Sequence, residues 1–204
     1  MKKFNLKFMF AGVILTVLLG GCAGGSGTDS VGTEKPVENG SAQETEDAAG
    51  SGTETVTEGA GIVFTGQDLA GNSVSESFFS ESKLTMVNVW ATYCNPCLSE
   101  MPGLGELAGE YEPEEFQIIG IVSDVPEGAD EKAIEEVASL IEATGADYPH
   151  LLLNESVYYA LLTEVTAVPT TFFVDENGVV LDTVLGAMKK SAWEEKINAL
   201  LEKQ

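Results

Sequence analysis

The chain has 204 residues, with ten lysines, no arginine, 33 Asp and Glu and one histidine, for a formal net charge of −23. That balance excludes a nucleic-acid binder, because phosphate contacts need a basic face, and it argues against an anionic substrate drawn in by charge. With 44% apolar residues the chain can build a packed core, while three cysteines are too few for a disulfide scaffold or a four-ligand zinc site.

Lys2, Lys3 and Lys7 make a basic start, and Phe8 to Leu19 is an apolar run of twelve residues broken only by Gly12 and Thr16. Twelve residues are too few to span a bilayer comfortably, so the pattern reads as a secretory leader. The run ends Leu19-Gly20-Gly21-Cys22, an aliphatic residue and two small ones before a cysteine. This resembles a bacterial lipobox. The resemblance implies cleavage after residue 21, acylation of Cys22 and a lipid anchor holding the protein on the extracytoplasmic face of the cell membrane. The cleaved chain would keep seven lysines against 33 carboxylates.

Residues 22–61 read as a tether. From Ala23 to Gly61 there are nine Gly, six Thr, four Ser, eight scattered carboxylates and no aromatic residue. Such a segment buries too little apolar surface to offset its ordering entropy, and a flexible linker of this length reaches roughly 35 Å. The remaining residues, 62–204, have the size of one domain.

Within that domain, Asp68-Leu69-Ala70-Gly71-Asn72 is a turn cluster between Ile62–Phe64 and Val74, which predicts a small N-terminal hairpin. Met86 to Trp90 reads as a strand. Leu104, Leu107, Ala108 and Tyr111 have helical spacing, and Gln117 to Val122 is a second buried strand. Ile134, Val137, Ala138 and Ile141 predict an amphipathic helix stopped by Gly145. Leu151 to Leu153 reads as a short strand. Thr170–Val174 and Val179–Leu185 flank Asp175-Glu176-Asn177-Gly178, a hairpin signal. Ser191 and Glu194 predict a capping box for a last helix with the stripe Trp193, Ile197, Leu200 and Leu201. Strands and helices alternate and a hairpin and helix close the chain, so the expected architecture is α/β, a mixed sheet with helices on both faces.

The chemistry concentrates in one turn. Strand Met86–Trp90 runs into Ala91-Thr92-Tyr93-Cys94-Asn95-Pro96-Cys97, and a helix follows. Cys94 at a helix N-terminus gains from the helix dipole and the free backbone N–H groups, which favour its thiolate. Cys97 lies one turn further in, close enough for a disulfide and more shielded. Pro96 has no N–H and stiffens the turn. A structural disulfide across two residues would restrict little chain entropy. Zinc would need two more ligands, and only His150 is available besides carboxylates. A metallochaperone-type copper site would need a longer cysteine spacing, and a peroxidase a single activated cysteine with a Thr at another offset. A redox dithiol fits the spacing best.

Val87-Asn88-Val89-Trp90-Ala91-Thr92-Tyr93-Cys94-Asn95-Pro96-Cys97, then Glu100-Met101-Pro102, resembles the thioredoxin-like family, in particular its membrane-tethered, extracytoplasmic TlpA/ResA branch. Val168-Pro169-Thr170-Thr171-Phe172-Phe173-Val174-Asp175 with Asn177-Gly178 resembles that family's second signature. The resemblance implies a thioredoxin-like fold over residues 62–204, with Cys94 attacking and Cys97 resolving. It implies a cis Pro169 against the dithiol, Val168 pairing its backbone with an extended substrate, and Trp90 beneath the active-site turn as part of the substrate-binding set. Asn88 stands where ordinary thioredoxins have a buried Asp, and Tyr93 where many relatives have Trp. The branch has a Glu three residues after the second cysteine, here Glu100, as proton acceptor for Cys97.

The activity implied is a protein-disulfide reductase without metal or other cofactor. Its substrates would be disulfides of exported proteins, apocytochrome c or a methionine sulfoxide reductase, and a CcdA-like or DsbD-like membrane protein would supply electrons. The alternatives are an oxidase of the same fold and a binding lipoprotein without enzymatic activity.

Overall fold

The computed structural model describes residues 61–204. The leader, Cys22 and nearly all of the linker lie outside the described residues. Among the described residues no helix is long and apolar enough to cross a membrane.

In chain order the elements are β1 (Thr65–Gln67), β2 (Ser73–Ser75), a 3-10 turn (Glu76–Glu81), β3 (Leu84–Trp90), α1 (Asn95–Ala108), β4 (Phe116–Pro126), α2 (Glu131–Thr144) and β5 (His150–Leu153). A short helix α3 (Glu155–Val157) then runs into a π-turn (Tyr158–Leu162), followed by β6 (Thr170–Asp175), β7 (Val180–Leu185) and α4 (Lys190–Leu201). The main sheet has the order β5-β4-β3-β6-β7. β4 is parallel to both β3 and β5, whereas β6 is antiparallel to both β3 and β7. This is the mixed, helix-flanked sheet expected, and the β1–β2 hairpin is present as expected around Asp68–Asn72.

Alternation along β3 explains the layers. Leu84 and Met86 pack with Leu104, Leu107, Trp193 and Ile197 of α1 and α4. Val87 and Val89 point the other way, into a core closed by Phe64, Phe79, Val157 and Leu161. Every residue of β3 is buried, as a central strand covered on both faces must be. The hairpin also shields the β5 edge, where Leu69 N–H donates to the carbonyl of His150 at 3.1 Å.

Helix ends follow local chemistry. Asp130 caps α2 by accepting from Ala133 N–H at 2.9 Å. Gly145 ends the same helix in the left-handed conformation, φ 68°. One expectation fails. The Ser191–Glu194 capping box does not form, because α4 starts at Lys190 and leaves Ser191 inside the first turn. The first residue of the helix is tied to α1 instead. Lys190 Nζ bridges Glu106 and Glu110 of α1, at 2.6 Å each. The helical stripe also ends earlier than its spacing suggests: α1 stops at Ala108. Tyr111 lies beyond it, packed on Phe116 with ring centroids 5.0 Å apart. Helix α3 and its π-turn have no counterpart among the predicted elements.

Candidate active site

Cys94 and Cys97 form a disulfide with Cα atoms 5.3 Å apart. Cys94 is the N-cap of α1, and its sulfur accepts from Cys97 N–H at 3.3 Å. That N–H and the helix dipole are the groups that would stabilise a Cys94 thiolate after reduction. Cys94 is 5% exposed and Cys97 fully buried, so an incoming sulfur meets Cys94 first. On the reduced full chain, mapped iodoacetamide adducts are expected at Cys94 ahead of Cys97, with Cys94 labelling extending to lower pH. Faster labelling of Cys97 at neutral pH would reverse the two roles.

The turn is held from β4. Thr92 donates its N–H to the Asp124 carboxylate at 3.1 Å and its hydroxyl at 2.6 Å. Ser123 Oγ donates to the carbonyl of Trp90 at 2.9 Å. Neither contact has a sequence signal, since Asp124 is one carboxylate among many.

Glu100 is buried one turn below Cys97 on α1. Its Oε1 accepts from Asn88 Nδ2 at 3.2 Å, and its Oε2 from Met188 N–H at 3.0 Å and Trp193 Nε1 at 3.2 Å. Burial pushes the carboxyl above the usual carboxylate range, while the three donors pull the other way. Asn88 also donates to Thr171 Oγ1 at 3.1 Å, and its Oδ1 has no partner among the described residues.

Trp90 is fully buried and presents no surface to a substrate, which corrects its placement in the substrate-binding set. It is instead a support. Its indole N–H donates to His150 Nδ1 at 3.1 Å, and His150 Nε2 lies 3.0 Å from the carbonyl of Ala146. This pairing requires the proton on Nε2. Burial pulls the His150 pKa down to about 4, so the imidazole is neutral at neutral pH. Tyr148 stacks on it at 4.5 Å.

Pro169 is buried, half-buried Val168 precedes it, and the bond between them is cis. Two hydrogen bonds pin this loop, from Gly186 N–H to the carbonyl of Pro169 (2.8 Å) and from Thr170 Oγ1 to that of Ala167 (2.7 Å). Val168 packs with the cluster that contains Cys94 and Cys97. A cleft of about 240 Å³ runs between Val168 and Tyr93, the residue before the first cysteine. Cys94, Cys97, Val168 and Pro169 are thus gathered at one end of the sheet, with Glu100 behind them.

The model of the AhpC/TSA family matches residues 60–183. The chain belongs to that family. Within the AhpC/TSA family it is a thioredoxin-like protein of the ResA type. It is 29% identical over 134 residues to the thiol-disulfide oxidoreductase ResA of Halalkalibacterium halodurans, covering 66% of this chain and 71% of the relative. It is also 29% identical over 119 residues to the thioredoxin-like protein YneN of Bacillus subtilis, covering 58% and 66%. Two solved structures share the fold. A thioredoxin-family thiol:disulfide interchange protein from Chlorobium tepidum superposes with a TM-score of 0.58 at 23% identity, over 70% of this chain and 95% of the other. The thioredoxin domain of a thiol-disulfide oxidoreductase from Bacteroides vulgatus does so at 0.54 and 26%, over 68% and 95%.

Sequence reasoning missed Asp124, Met188 N–H and Trp193 as site groups, and also Tyr158. Trp193 belongs to the core stripe that its spacing predicts, and its indole N–H also reaches Glu100. Asn154, which caps α3 through Val157 N–H at 2.8 Å, was the one available signal for the missed helix.

Proposed function

We propose that this thiol-disulfide oxidoreductase works as a lipid-anchored reductase of exported proteins. The Cys94 thiolate attacks one sulfur of a substrate disulfide, and the other sulfur leaves as a thiolate that takes up a proton. Cys97 then gives up its proton and attacks Cys94 Sγ. The second substrate thiol is released, and two electrons have passed from enzyme to substrate. The Cys94–Cys97 disulfide so formed must be re-reduced by a dithiol donor at the membrane, for which a CcdA-like or DsbD-like protein is the matching class. Glu100 is the proton acceptor for Cys97 in this scheme, and Val168 the backbone that an extended substrate pairs with.

The observation that carries this reading is the disulfide-forming pair at the N-terminus of α1, with Cys94 at the surface side and the Val168–Pro169 bond beside it. The direction rests on electrostatics. A strongly oxidising member of such a fold stabilises its thiolate heavily. Here Asn95-Pro96 offers no cation, and no lysine occurs between Lys83 and Lys132. Buried Glu100 also opposes a second negative charge nearby. Equilibration of the full chain against dithiothreitol mixtures is expected to give a potential near −270 mV, the thioredoxin value, rather than about −120 mV. A value above roughly −180 mV would make the protein an oxidase or isomerase instead.

The anchor has its own test. Cys22→Ser is expected to release the protein from the membrane fraction or to leave its precursor uncleaved. Normal processing with full membrane retention would remove the lipid from the proposal.

A further inference from the structure

The mouth of the site has a surface that the dithiol chemistry does not use. Tyr93, Tyr158 and Tyr159 are 74%, 45% and 69% exposed. Tyr158 and Tyr159 stand edge to face with ring centroids 5.3 Å apart. The cleft between Tyr93 and Val168 shares Leu153 and Tyr158 with a second cleft of about 690 Å³, to which Tyr159, Glu127 and Glu155 also contribute. The two together lead away from Cys94 along the π-turn. Exposed aromatic rings clustered beside a groove and rimmed by polar groups mark an interaction site.

The charge around them is of one sign. The charged residues that line the two clefts are Glu127 and Glu155, both carboxylates, and no lysine lines either cleft. Of the six lysines of the described residues three are paired: Lys83 with Glu115, Lys190 with Glu106 and Glu110, Lys196 with Asp182. Glu127 and Glu155 line the second cleft without a cationic partner among the described residues, and ring faces beside such carboxylates attract an ammonium or guanidinium group by cation–π and ion-pair terms together.

We propose that this two-part cleft docks a lysine- or arginine-bearing extended segment of the protein whose disulfide is exchanged, with the cationic side chain against Tyr158, Tyr159 and Glu155 and the disulfide at Cys94. The inference rests on the oxidoreductase reading above and names the class of substrate that the site selects. It also accounts for why the π-turn leaves two adjacent tyrosines in water: their rings are the docking surface.

The test uses the reduced full chain and three disulfides. Two are synthetic peptides of equal length with one internal disulfide, flanked by three lysines in one and three glutamates in the other. The third is the small uncharged hydroxyethyl disulfide. At low salt the lysine peptide is expected to oxidise the protein at least about tenfold faster than the glutamate peptide, and the ratio shrinks as salt rises. Tyr159→Ala and Glu155→Gln each lower that ratio several-fold. Glu112→Gln removes the same charge at the opposite end of the sheet, before β4, and leaves the ratio in place. Equal rates for the two peptides would overturn the inference. So would a ratio that Glu112→Gln lowers as much as Glu155→Gln, because overall charge would then be the whole effect. If even hydroxyethyl disulfide fails to oxidise the reduced protein, the oxidoreductase reading itself falls, and the docking inference with it.

Discussion

Glu100→Gln is expected to slow breakdown of the mixed disulfide at neutral pH by about 10²-fold, while the first attack by Cys94 proceeds near its original rate. Cys97 is fully buried, and burial in apolar surroundings opposes loss of its proton. Glu100 follows it by three residues on the same face of α1, and desolvation raises its carboxyl above the usual carboxylate range against the pull of its three hydrogen-bond donors. The substitution keeps the shape. A glutamine oxygen can still accept from Met188 N–H and Trp193 Nε1, and its amide can meet Asn88 once that side chain turns its unpartnered Oδ1 inward. A folding defect therefore does not explain the expected loss. The pH profile supplies a second readout. Glu100 has a raised pKa in the folded protein, so its contribution to stability is present below the ordinary carboxylate pKa and is lost as pH rises through the raised value. Urea titrations should show that loss in the parent protein and not in the variant. An unchanged rate of mixed-disulfide breakdown would return Glu100 to a purely structural role.

Legibility followed the length over which each signal repeats. The strands and amphipathic helices repeat one pattern over five or more residues, and β3, α2, β6 and β7 stand where their patterns place them. The dithiol was readable because strand, Cys-x-x-Cys and helix follow one another without interruption. What stayed hidden depends on contacts distant in sequence. Asp124 reaches Thr92 across 32 residues, and Trp193 reaches Glu100 across 93. No local pattern announces such pairs. Trp90 shows the complementary failure. The resemblance places it beneath the active-site turn, where it stands, but also in the substrate-binding set, and a ring with no exposed surface meets no substrate directly. The capping box at Ser191 fails because α4 already begins at Lys190, whose ammonium reaches carboxylates at the end of α1 that no local pattern points to.

Gly120→Ala is the second large effect, and it arises where the sequence shows only a glycine within a strand. Gly120 lies opposite His150 in the parallel pairing of β4 with β5. A Cβ at position 120 would run into the His150 ring at Nδ1. That ring has little freedom to yield. Its Nδ1 accepts the Trp90 indole N–H at 3.1 Å, its Nε2 meets the carbonyl of Ala146 at 3.0 Å, and Tyr148 stacks on its face. Overpacking of this kind costs about 1–3 kcal/mol. If the imidazole moves aside, the buried indole N–H of Trp90 loses its acceptor, at a further cost of about 1–3 kcal/mol. The expected destabilisation is therefore about 2–6 kcal/mol, read from the urea midpoint at unchanged slope. Activity is expected to fall as well, because the carbonyl of Trp90 anchors Ser123 and the strand leads directly into the cysteine turn. Removing the ring should relieve the clash, so Gly120→Ala combined with His150→Ala is expected to cost less than the sum of the two single changes. A Gly120→Ala protein within about 0.5 kcal/mol of the parent, or strict additivity in the double variant, would show that the His150–Trp90 pair has slack and does not brace the turn from below.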